Sequence, residues 1–211
     1  MKQFDLSLYL VLDPLLCQRI GMVQTARLAV EGGVTTVQLR DKTAGTAALI
    51  RMGLELKAAL AGADVPLIVN DDVEAAIAIN AAGMHVGQSD LQVTEVRRRI
   101  PPEMILGLSV ETIDLARAVD PSLVNYVGVG PVFATGTKPD HKTPIGFEGL
   151  QRIVSGAPVP AVAIGGLKAG HAAQTLAAGA HGMAVVSAIC GTADPQAAAR
   201  ALAKEIQEAR R

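Results

Sequence analysis

The amino-acid sequence predicts an α/β protein built as a single-domain (β/α)8 barrel, a closed ring of eight parallel strands surrounded by helices. Short apolar runs alternate with amphipathic segments, eight of each over 211 residues, so one pair recurs about every 26 residues. Half of the residues are hydrophobic but only 2% are aromatic, a composition typical of a parallel sheet covered by Ala-rich helices. Because no linker or compositional break interrupts the alternation, we expect one domain over residues 1–211.

Each predicted strand is a short run rich in Val, Ile and Leu that stops at a polar residue, Gly or Pro. The first run, LSLYLVLD, stops at Asp13-Pro14, and the second, TTVQLR, is rich in β-branched residues. The predicted strands span residues 6–13, 35–40, 66–70, 84–88, 104–110, 126–133, 160–164 and 182–189.

The predicted helices carry apolar residues at helical spacing and end at helix-stop signals. Gly32-Gly33 follows the first helix, Gly62 the second and Gly83 the third. The predicted helices span residues 22–31, 44–61, 73–82, 93–100, 111–119, 147–154, 170–178 and 195–211.

The same alternation is compatible with an open, doubly wound sheet. That fold usually binds phosphate through a G-x-G-x-x-G motif that opens the first helix. The sequence lacks this motif after the first predicted strand, which favours the closed barrel.

The composition argues against several classes of function. A formal net charge of −1 and a 2% aromatic content offer neither a basic field nor stacking platforms for nucleic acid, and no attraction to an anionic membrane. Cys17 and Cys190 form no C-x-x-C motif, which favours a reduced, cytoplasmic protein over a disulfide scaffold. We expect neither a signal peptide nor a membrane span. The oligomeric state stays open, with a homodimer as one option.

A barrel of this kind carries its functional residues at the carboxyl ends of the strands and in the loops that follow them. Gln38, Arg40 and Lys42 follow the second strand at a spacing of two, which puts them on one face of an extended segment. Two cations and an amide on one face suit a polyanion. The alternative is that Arg40 and Lys42 pair with Asp41 or Glu31 at the surface.

Acidic residues end the third and fourth strands, in Asn70-Asp71-Asp72 and Gln88-Ser89-Asp90. Two carboxylates about 4 Å apart repel by roughly 4 kcal/mol at an effective dielectric of about 20. A Mg2+ ion held by one or two carboxylates, with phosphate oxygens completing its shell, would remove this repulsion. The alternative for Asp71 and Asp72 is helix N-capping, which we accept for one of the two but not for both together with Asp90.

The stretch Tyr126–Gly146 combines an apolar strand broken by glycines with a polar loop. The loop carries Thr135, Thr137 and Lys138 and is a candidate lid over a site for a charged small molecule. The alternative is an ordinary surface turn. Ser109, at the end of the fifth strand, adds a small hydroxyl donor.

Two further segments complete the predicted mouth of the barrel. Gly165-Gly166 offers bare backbone N–H groups, and Val186-Ser187 precedes a helix-like turn, in the two loops where such barrels most often hold phosphate. We therefore predict a cationic, metal-containing anion site for a leaving pyrophosphate and a neutral anion site for a retained monophosphate. The cationic site comprises Arg40, Lys42, Lys138, Asp71 and Asp90, and the neutral site comprises Thr135, Thr137, Gly166 and Ser187.

Seven segments, taken in order along the chain, resemble the thiamine phosphate synthase family. They are VQLRDK (37–42), VNDDVE (69–74), HVGQSD (85–90), GLSVET (107–112), YVGVGPVFATGTK (126–138), AIGGL (163–167) and VVSAI (185–189). The resemblance implies a (β/α)8-barrel transferase of thiamine biosynthesis. Its members join 4-amino-5-hydroxymethyl-2-methylpyrimidine diphosphate to 4-methyl-5-(2-phosphoethyl)thiazole, giving thiamine phosphate and pyrophosphate.

The resemblance also implies roles for individual residues. The pyrimidine diphosphate would be held by Gln38, Arg40, Lys42, Asn70, Ser109 and Lys138, of which Arg40, Ser109 and Lys138 would act in catalysis. The thiazole phosphate would be held by Thr135, Gly136, Thr137, Gly166, Val186 and Ser187, and Mg2+ by Asp71 and Asp90. Pyrophosphate would leave first, and the thiazole nitrogen would capture the resulting pyrimidinylmethyl cation.

One position departs from the family pattern, because Glu111 stands where many members carry histidine. We expect Glu111 to begin the next helix, where a carboxylate suits the helix dipole, and assign it no catalytic role. His85 is predicted either to lie beneath the pyrimidine or to be a satisfied core histidine. His141, His171 and His181 are predicted to lie at the surface.

Two other functions suit the same barrel. A thiazole tautomerase would not need the aspartates and cations of the cationic site, so their presence favours the synthase. A catalytically silent barrel that senses a phosphorylated ligand would use the neutral site alone.

Overall fold

The computed structural model describes residues 4–136 and 142–211. Within these ranges eight parallel strands close into a barrel in chain order, and a helix follows each strand. The strands are β1 (Leu8–Leu12), β2 (Thr36–Leu39), β3 (Leu67–Asn70), β4 (Gly83–Val86), β5 (Ile105–Val110), β6 (Tyr126–Val129), β7 (Ala161–Ile164) and β8 (Gly182–Val185). The helices are α1 (Met22–Glu31), α2 (Thr46–Ala59), α3 (Val73–Ile79), α4 (Val93–Arg99), α5 (Ile113–Arg117), α6 (Gly146–Val154), α7 (Ala172–Ala177) and α8 (Pro195–Ala209). The predicted (β/α)8 barrel is confirmed, and the open-sheet alternative is wrong.

Pairing of the first strand with the last closes the barrel. β1 lies parallel to both β2 and β8, with Tyr9 opposite Thr36 on one side and opposite Ala184 on the other. All eight strands run in one direction, so their carboxyl ends meet at one mouth.

Two apolar layers stabilise the barrel, one on each side of the ring of strands. The larger layer packs side chains such as Leu10, Val37 and Leu150 between the strands and the helices. The inner layer fills the barrel with Leu6, Tyr9, Val11, Ile68, Tyr126, Val162 and Ala184. Both faces of most strands are therefore buried, which explains why the strands read as continuous apolar runs.

Most elements begin or end a few residues from the predicted bounds, and three of these differences lie close to the mouth of the barrel. β6 ends at Val129 rather than Phe133, because Pro131 has no N–H to continue the strand ladder. β8 ends at Val185, and residues 186–192 turn instead of extending the strand to Ile189. α5 begins at Ile113 rather than Glu111, with Thr112 as its N-cap.

Cys17 and Cys190 are both buried and free, as expected of a protein without a disulfide scaffold. A hydrogen bond from the Cys190 thiol lowers the pKa of Cys17 to about 7. The two thiols therefore lie together at the seam where the first and last strands meet. Among the described residues, no helix has the length and apolar character to cross a membrane.

Candidate active site

The mouth of the barrel holds a cleft of about 170 Å3 whose walls include residues from all eight strands. Of the residues predicted from the sequence, the cleft is lined by Gln38, Arg40, Lys42, Asn70, Asp71, Asp90, Ser109, Thr135, Gly166, Val186 and Ser187. Gly136 is exposed and is not among the described residues that line the cleft. The predictions for Thr137 and Lys138 concern positions outside the described residues.

One end of the cleft is built around Asp71, directly after β3. The ammonium group of Lys42 forms an ion pair with the Asp71 carboxylate, and the Asn70 side-chain amide donates to the same oxygen at 2.6 Å. The predicted alternative pairings of Lys42 with Asp41 or Glu31 are therefore wrong. Lys42 instead crosses from the β2 loop to the β3 loop.

Asp71 has an unusual backbone conformation. Its φ of 61° lies in the left-handed region, which residues other than glycine occupy at a cost, often at functional sites. Its N–H donates to the His85 carbonyl at 2.9 Å, so β4 holds this conformation in place. The strained backbone allows the Asp71 carboxyl to point into the cleft while Asp72 begins the next helix.

The carboxyl groups of Asp71 and Asp90 meet at this end of the cleft. Burial raises the pKa of Asp71, the Asp90 carboxyl hydrogen-bonded to it raises the pKa further, and Lys42 opposes both effects. The Gly87 N–H fixes Asp90 by donating to its carboxylate at 2.7 Å. The convergence of these two carboxyl groups was predicted from their positions after neighbouring strands.

This pair of carboxyl groups fits a magnesium ion that substrate oxygens help to hold. Mg2+ is commonly bound through one or two carboxylates together with phosphate oxygens and water. The described residues contain no group of three or more His, Cys, Asp or Glu side chains suited to a metal ion. Asp71 and Asp90 could supply two ligands to such an ion and would leave the others to substrate oxygens and water.

Asp72 has a structural role instead. Its carboxylate caps α3 by accepting from the Ala75 N–H at 2.8 Å, and it also accepts from the Thr46 hydroxyl at 2.7 Å. The N-capping alternative is therefore confirmed for one of the two adjacent aspartates.

A buried hydrogen-bonded row, which the sequence analysis missed, forms the floor of the cleft. The Tyr9 and Tyr126 hydroxyls are 2.8 Å apart, and the Gln38 side-chain amide donates to Tyr9 at 2.8 Å. His85 contacts Tyr126 through Nδ1 at 3.0 Å and Ser109 Oγ through Nε2 at 2.9 Å. A signal was available, because these are the chain's only two tyrosines and both lie in otherwise aliphatic strands.

Gly107 makes this row possible. It lies on β5 directly opposite His85 on β4 and directly opposite Tyr126 on β6. Since Gly107 has no side chain, the imidazole and the phenol can meet across it. Both ring nitrogens of His85 are hydrogen-bonded, as a satisfied histidine requires, and His85 also lines the cleft. Its place beneath a pyrimidine stays a prediction.

The other end of the cleft is formed by backbone. Gly165 and Gly166 have φ values of 102° and 64°, and a Cβ on Gly166 would come within 2.7 Å of Phe133 Cβ and the Ala134 carbonyl oxygen. Only glycine suits this left-handed, closely packed position. The Gly-Gly pair therefore brings the loops after β6 and β7 together beside Thr135.

Two charged residues of the cleft were not predicted to act there. Glu111 lines the cleft because α5 starts two residues later than predicted, so the expectation that Glu111 begins this helix is wrong. Lys142 lines the cleft from the far side of the long β6–α6 loop. Lys142 belongs to the stretch Tyr126–Gly146 that the sequence marked as a candidate lid, but it was not singled out as a site residue.

The described histidines outside the cleft differ in exposure. His181 is exposed, as predicted. His171 is only half-exposed and packs against Phe133 and Phe147, with ring centroids at 4.8 and 5.8 Å. Its predicted surface position is therefore wrong in part. His141 lies outside the described residues.

The closed barrel and the charged cleft at the carboxyl ends of its strands define the class of the protein: a (β/α)8-barrel enzyme whose site is built from the βα loops. The chain belongs to the thiamine monophosphate synthase family, whose family model matches residues 8–189. The resemblance carried by the seven sequence segments is thereby confirmed.

Individual relatives match along almost the whole chain. Over 200 residues, which make up 93% of each sequence, the chain is 47% identical to the thiamine-phosphate synthase of Psychrobacter sp. strain PRwf-1. Over 209 residues, which make up 99% of each sequence, it is 47% identical to the thiamine-phosphate synthase of Xanthobacter autotrophicus. Among solved structures it is similar to a thiamine phosphate pyrophosphorylase from Pyrococcus furiosus, with a TM-score of 0.87 and 34% identity over 97% of this chain and 96% of that one.

Proposed function

We propose that the protein is a transferase that joins 4-amino-5-hydroxymethyl-2-methylpyrimidine diphosphate to 4-methyl-5-(2-phosphoethyl)thiazole, releasing pyrophosphate and forming thiamine phosphate. Family membership supports the reaction. The observation that carries its assignment to this cleft is the meeting of Asp71 and Asp90 beside Lys42, opposite an end built from glycine backbone. These two ends differ in charge, as a leaving polyanion and a retained monophosphate require.

The pyrimidine diphosphate binds at the charged end in this proposal. Its binding residues are Gln38, Arg40, Lys42, Asn70 and Ser109, with Lys138 from the loop outside the described residues. Arg40 and Lys42 neutralise charge that grows on the diphosphate as its bond to the pyrimidine carbon breaks. Arg40 therefore acts in the chemical step, to which the family resemblance also assigns Ser109 and Lys138.

Asp71 and Asp90 hold Mg2+ at the same end. When bound, the ion stabilises the negative charge of the departing pyrophosphate. Without the ion, Lys42 is the cation that partly offsets the two carboxyl groups. Asp71 and Asp90 would thus hold the ion beside Lys42, at the end of the cleft assigned to the diphosphate.

The thiazole phosphate binds at the glycine end. We assign it to Thr135, Gly136, Thr137, Gly166, Val186 and Ser187, of which Thr137 lies outside the described residues. Left-handed glycines expose backbone N–H groups that suit a phosphate without adding positive charge. The thiazole phosphate has to leave again as part of the product. A binding site without positive charge suits it because such a site holds the phosphate less tightly.

The proposed mechanism is dissociative. The bond from the pyrimidine methylene carbon to the diphosphate oxygen breaks with both electrons going to oxygen, and the lone pair of the thiazole nitrogen then forms the new carbon–nitrogen bond. The residues contribute charge neutralisation at one end, positioning at the other, and a cleft that excludes water from the cation. No nucleophilic side chain is needed.

Release of pyrophosphate from the two substrates in the presence of Mg2+ tests the proposal. The synthase predicts pyrophosphate and thiamine phosphate in equal amounts, whereas a thiazole tautomerase or a phosphate-sensing barrel predicts neither. Binding of the thiazole phosphate without any pyrophosphate release would overturn the synthase function.

Two variants test the assignment of the two ends. Asp90→Ala should abolish turnover without unfolding the protein, and full activity of the unaltered protein in EDTA would contradict the metal assignment. Lys138→Ala should lower kcat more than it raises the KM for the thiazole phosphate. A rise in that KM alone would place Lys138 at the other anion.

Two predictions made from the sequence stay predictions. We expect the protein to work in the cytoplasm with reduced cysteines, and a homodimer is one option for its assembly. Fractionation of cells and light scattering of the purified protein, respectively, would test them.

A further inference from the structure

The row of hydrogen bonds beneath the cleft runs without a break from β2 to β5. It passes from the Gln38 amide through the Tyr9 and Tyr126 hydroxyls and the His85 ring to the Ser109 hydroxyl, with successive distances of 2.8, 2.8, 3.0 and 2.9 Å. Both tyrosines are almost completely buried. The row therefore links two residues to which the proposed function gives substrate contacts.

Counting hydrogens gives the row a direction. Gln38 Nε2 donates to Tyr9. The distances between Tyr9 and Tyr126 and between Tyr126 and His85 fit donation either way, but among the described contacts the Tyr126 oxygen is the acceptor open to the Tyr9 hydrogen. We infer that Tyr9 donates to Tyr126 and that Tyr126 donates to His85 Nδ1. A buried hydroxyl hydrogen left without an acceptor would be costly, which opposes any other arrangement of these two phenols.

The direction of the row also fixes which nitrogen of His85 carries the hydrogen and which way the Ser109 hydroxyl donates. Because Nδ1 of His85 accepts, the neutral ring carries its hydrogen on Nε2 and donates it to Ser109 Oγ. The Ser109 oxygen is then an acceptor toward His85, so the serine's own hydrogen is available to the cleft that Ser109 lines. The reverse direction would turn that hydrogen toward the histidine.

Packing keeps the row in this state. Burial raises the pKa of both tyrosines, so the phenols remain neutral donors at ordinary pH. The edge-on ring of Phe4 covers Tyr126, with ring centroids at 5.3 Å. On the other strands, Gly107 and Gly128 leave just enough room for the His85 ring.

We propose that Tyr126 is a positioning residue that acts through His85 to keep the Ser109 hydroxyl a hydrogen-bond donor toward the pyrimidine diphosphate. The inference rests on the proposed function for its substrate. The direction of the row itself depends only on the protein. A donor fixed before the substrate arrives needs no reorientation as negative charge develops on the leaving group.

The first test reads the His85 tautomer in the ligand-free protein. Two-bond 1H–15N correlation spectra separate the tautomers of neutral imidazole, and the His85→Gln variant identifies the His85 signals by their loss. We expect hydrogen on Nε2 and an unprotonated Nδ1. Hydrogen on Nδ1 would overturn the proposal, whatever the activity of the enzyme.

The second test is a double-mutant cycle with Tyr126→Phe and Ser109→Ala. Tyr126→Phe keeps the buried ring and removes only the hydroxyl. It should lower kcat about tenfold, at the low end of the loss that follows removal of an orienting partner. The KM for the thiazole phosphate should not change. In the Ser109→Ala background the same change should alter kcat by less than about twofold, because the group it orients is absent.

The outcomes separate the possible explanations. Equal losses in both backgrounds, or no loss in either, would overturn the proposal, since Tyr126 would then act independently of Ser109. Thermal denaturation of all four proteins shows whether they are equally folded. If the unaltered protein makes no thiamine phosphate, the proposed function fails, and the tautomer measurement still decides the direction of the row.

Discussion

Replacement of Gly107 by alanine tests how tightly the floor of the cleft is packed. A Cβ at this position would lie 2.2 Å from Tyr126 Cζ and 2.4 Å from His85 Nδ1, and Cβ atoms essentially never approach closer than 3.0 Å. Both rings must therefore move, the phenol by at least about 0.8 Å and the imidazole by at least about 0.6 Å, in an inner layer that has no spare space. That displacement would also break the hydrogen bond between Tyr126 and His85.

The expected loss of stability follows from three contributions. Overpacking of a well-filled core costs about 1–3 kcal/mol, and loss of a buried hydrogen bond adds about 1 kcal/mol. Alanine offsets about 0.5–1 kcal/mol of this, because glycine is unfavourable within a strand. The net loss of about 1–3.5 kcal/mol corresponds to a melting temperature lower by about 2–14 °C for a protein of this size.

Thermal denaturation followed by circular dichroism measures this effect, and Gly128→Ala is the matched control. A Cβ on Gly128 would meet His85 Cε1 at 3.2 Å and His85 Nε2 at 3.6 Å, so this variant should lose less than about 1 kcal/mol. The Gly107 variant should also lose most of its turnover. If Gly107→Ala melts within about 2 °C of the unaltered protein, or no lower than the control, the reasoning about the row is refuted.

Four further predictions concern single positions. Asp71→Asn should abolish turnover yet raise the melting temperature in Mg2+-free buffer. The reason is that the pKa of Asp71 is raised, which means that the fold disfavours the charged carboxylate. A lower melting temperature of this variant would contradict the prediction. Asp72→Ala should instead cost about 1 kcal/mol in a denaturant titration, as the loss of an N-cap does, with KM values unchanged. Gly166→Ala should raise the KM for the thiazole phosphate about tenfold or more without affecting that for the pyrimidine diphosphate, since its Cβ displaces the Thr135 loop. Burial, and then the charge of Lys168, lower the pKa of His171 in the folded protein. The unfolded chain therefore binds a proton at this residue more readily than the folded protein does. The free energy of unfolding should fall as the pH drops below about 6.5. In His171→Phe this fall should be smaller, as measured by melting temperatures from about pH 8 to about pH 5. Parallel curves of melting temperature against pH for the variant and the unaltered protein would refute the prediction.

Most of the charged end of the cleft was predictable because polar residues interrupt apolar runs at strand ends. Asp71 and Asp90 stand after neighbouring strands, and parallel strands bring their carboxyl ends to one edge. Their convergence therefore follows from the order of the strands. Sequence alone did not distinguish Asp71 from Asp72, because the choice depends on a left-handed backbone that the His85 carbonyl holds in place.

The floor of the cleft could not be predicted in the same way. In a strand buried on both faces, alternation of side chains shows which residues share a face but not which face looks into the barrel. Tyr9 and Tyr126 are 117 positions apart, and only the closed ring of strands brings their hydroxyls together. Lys142 and Glu111 were missed because their places depend on where a loop returns and where a helix begins.

Patterns in the amino-acid sequence were enough to predict the order of eight strands and eight helices, the closed barrel and most residues of both ends of the cleft. These follow from local periodicity, helix-stop residues and polar residues at strand ends, all of which are read within a few positions. The hydrogen-bonded row of the two tyrosines, His85 and Ser109 emerges only from the packing of the closed barrel. Its contacts join strands far apart in sequence across a glycine, and their direction is set by the hydrogens of every member together.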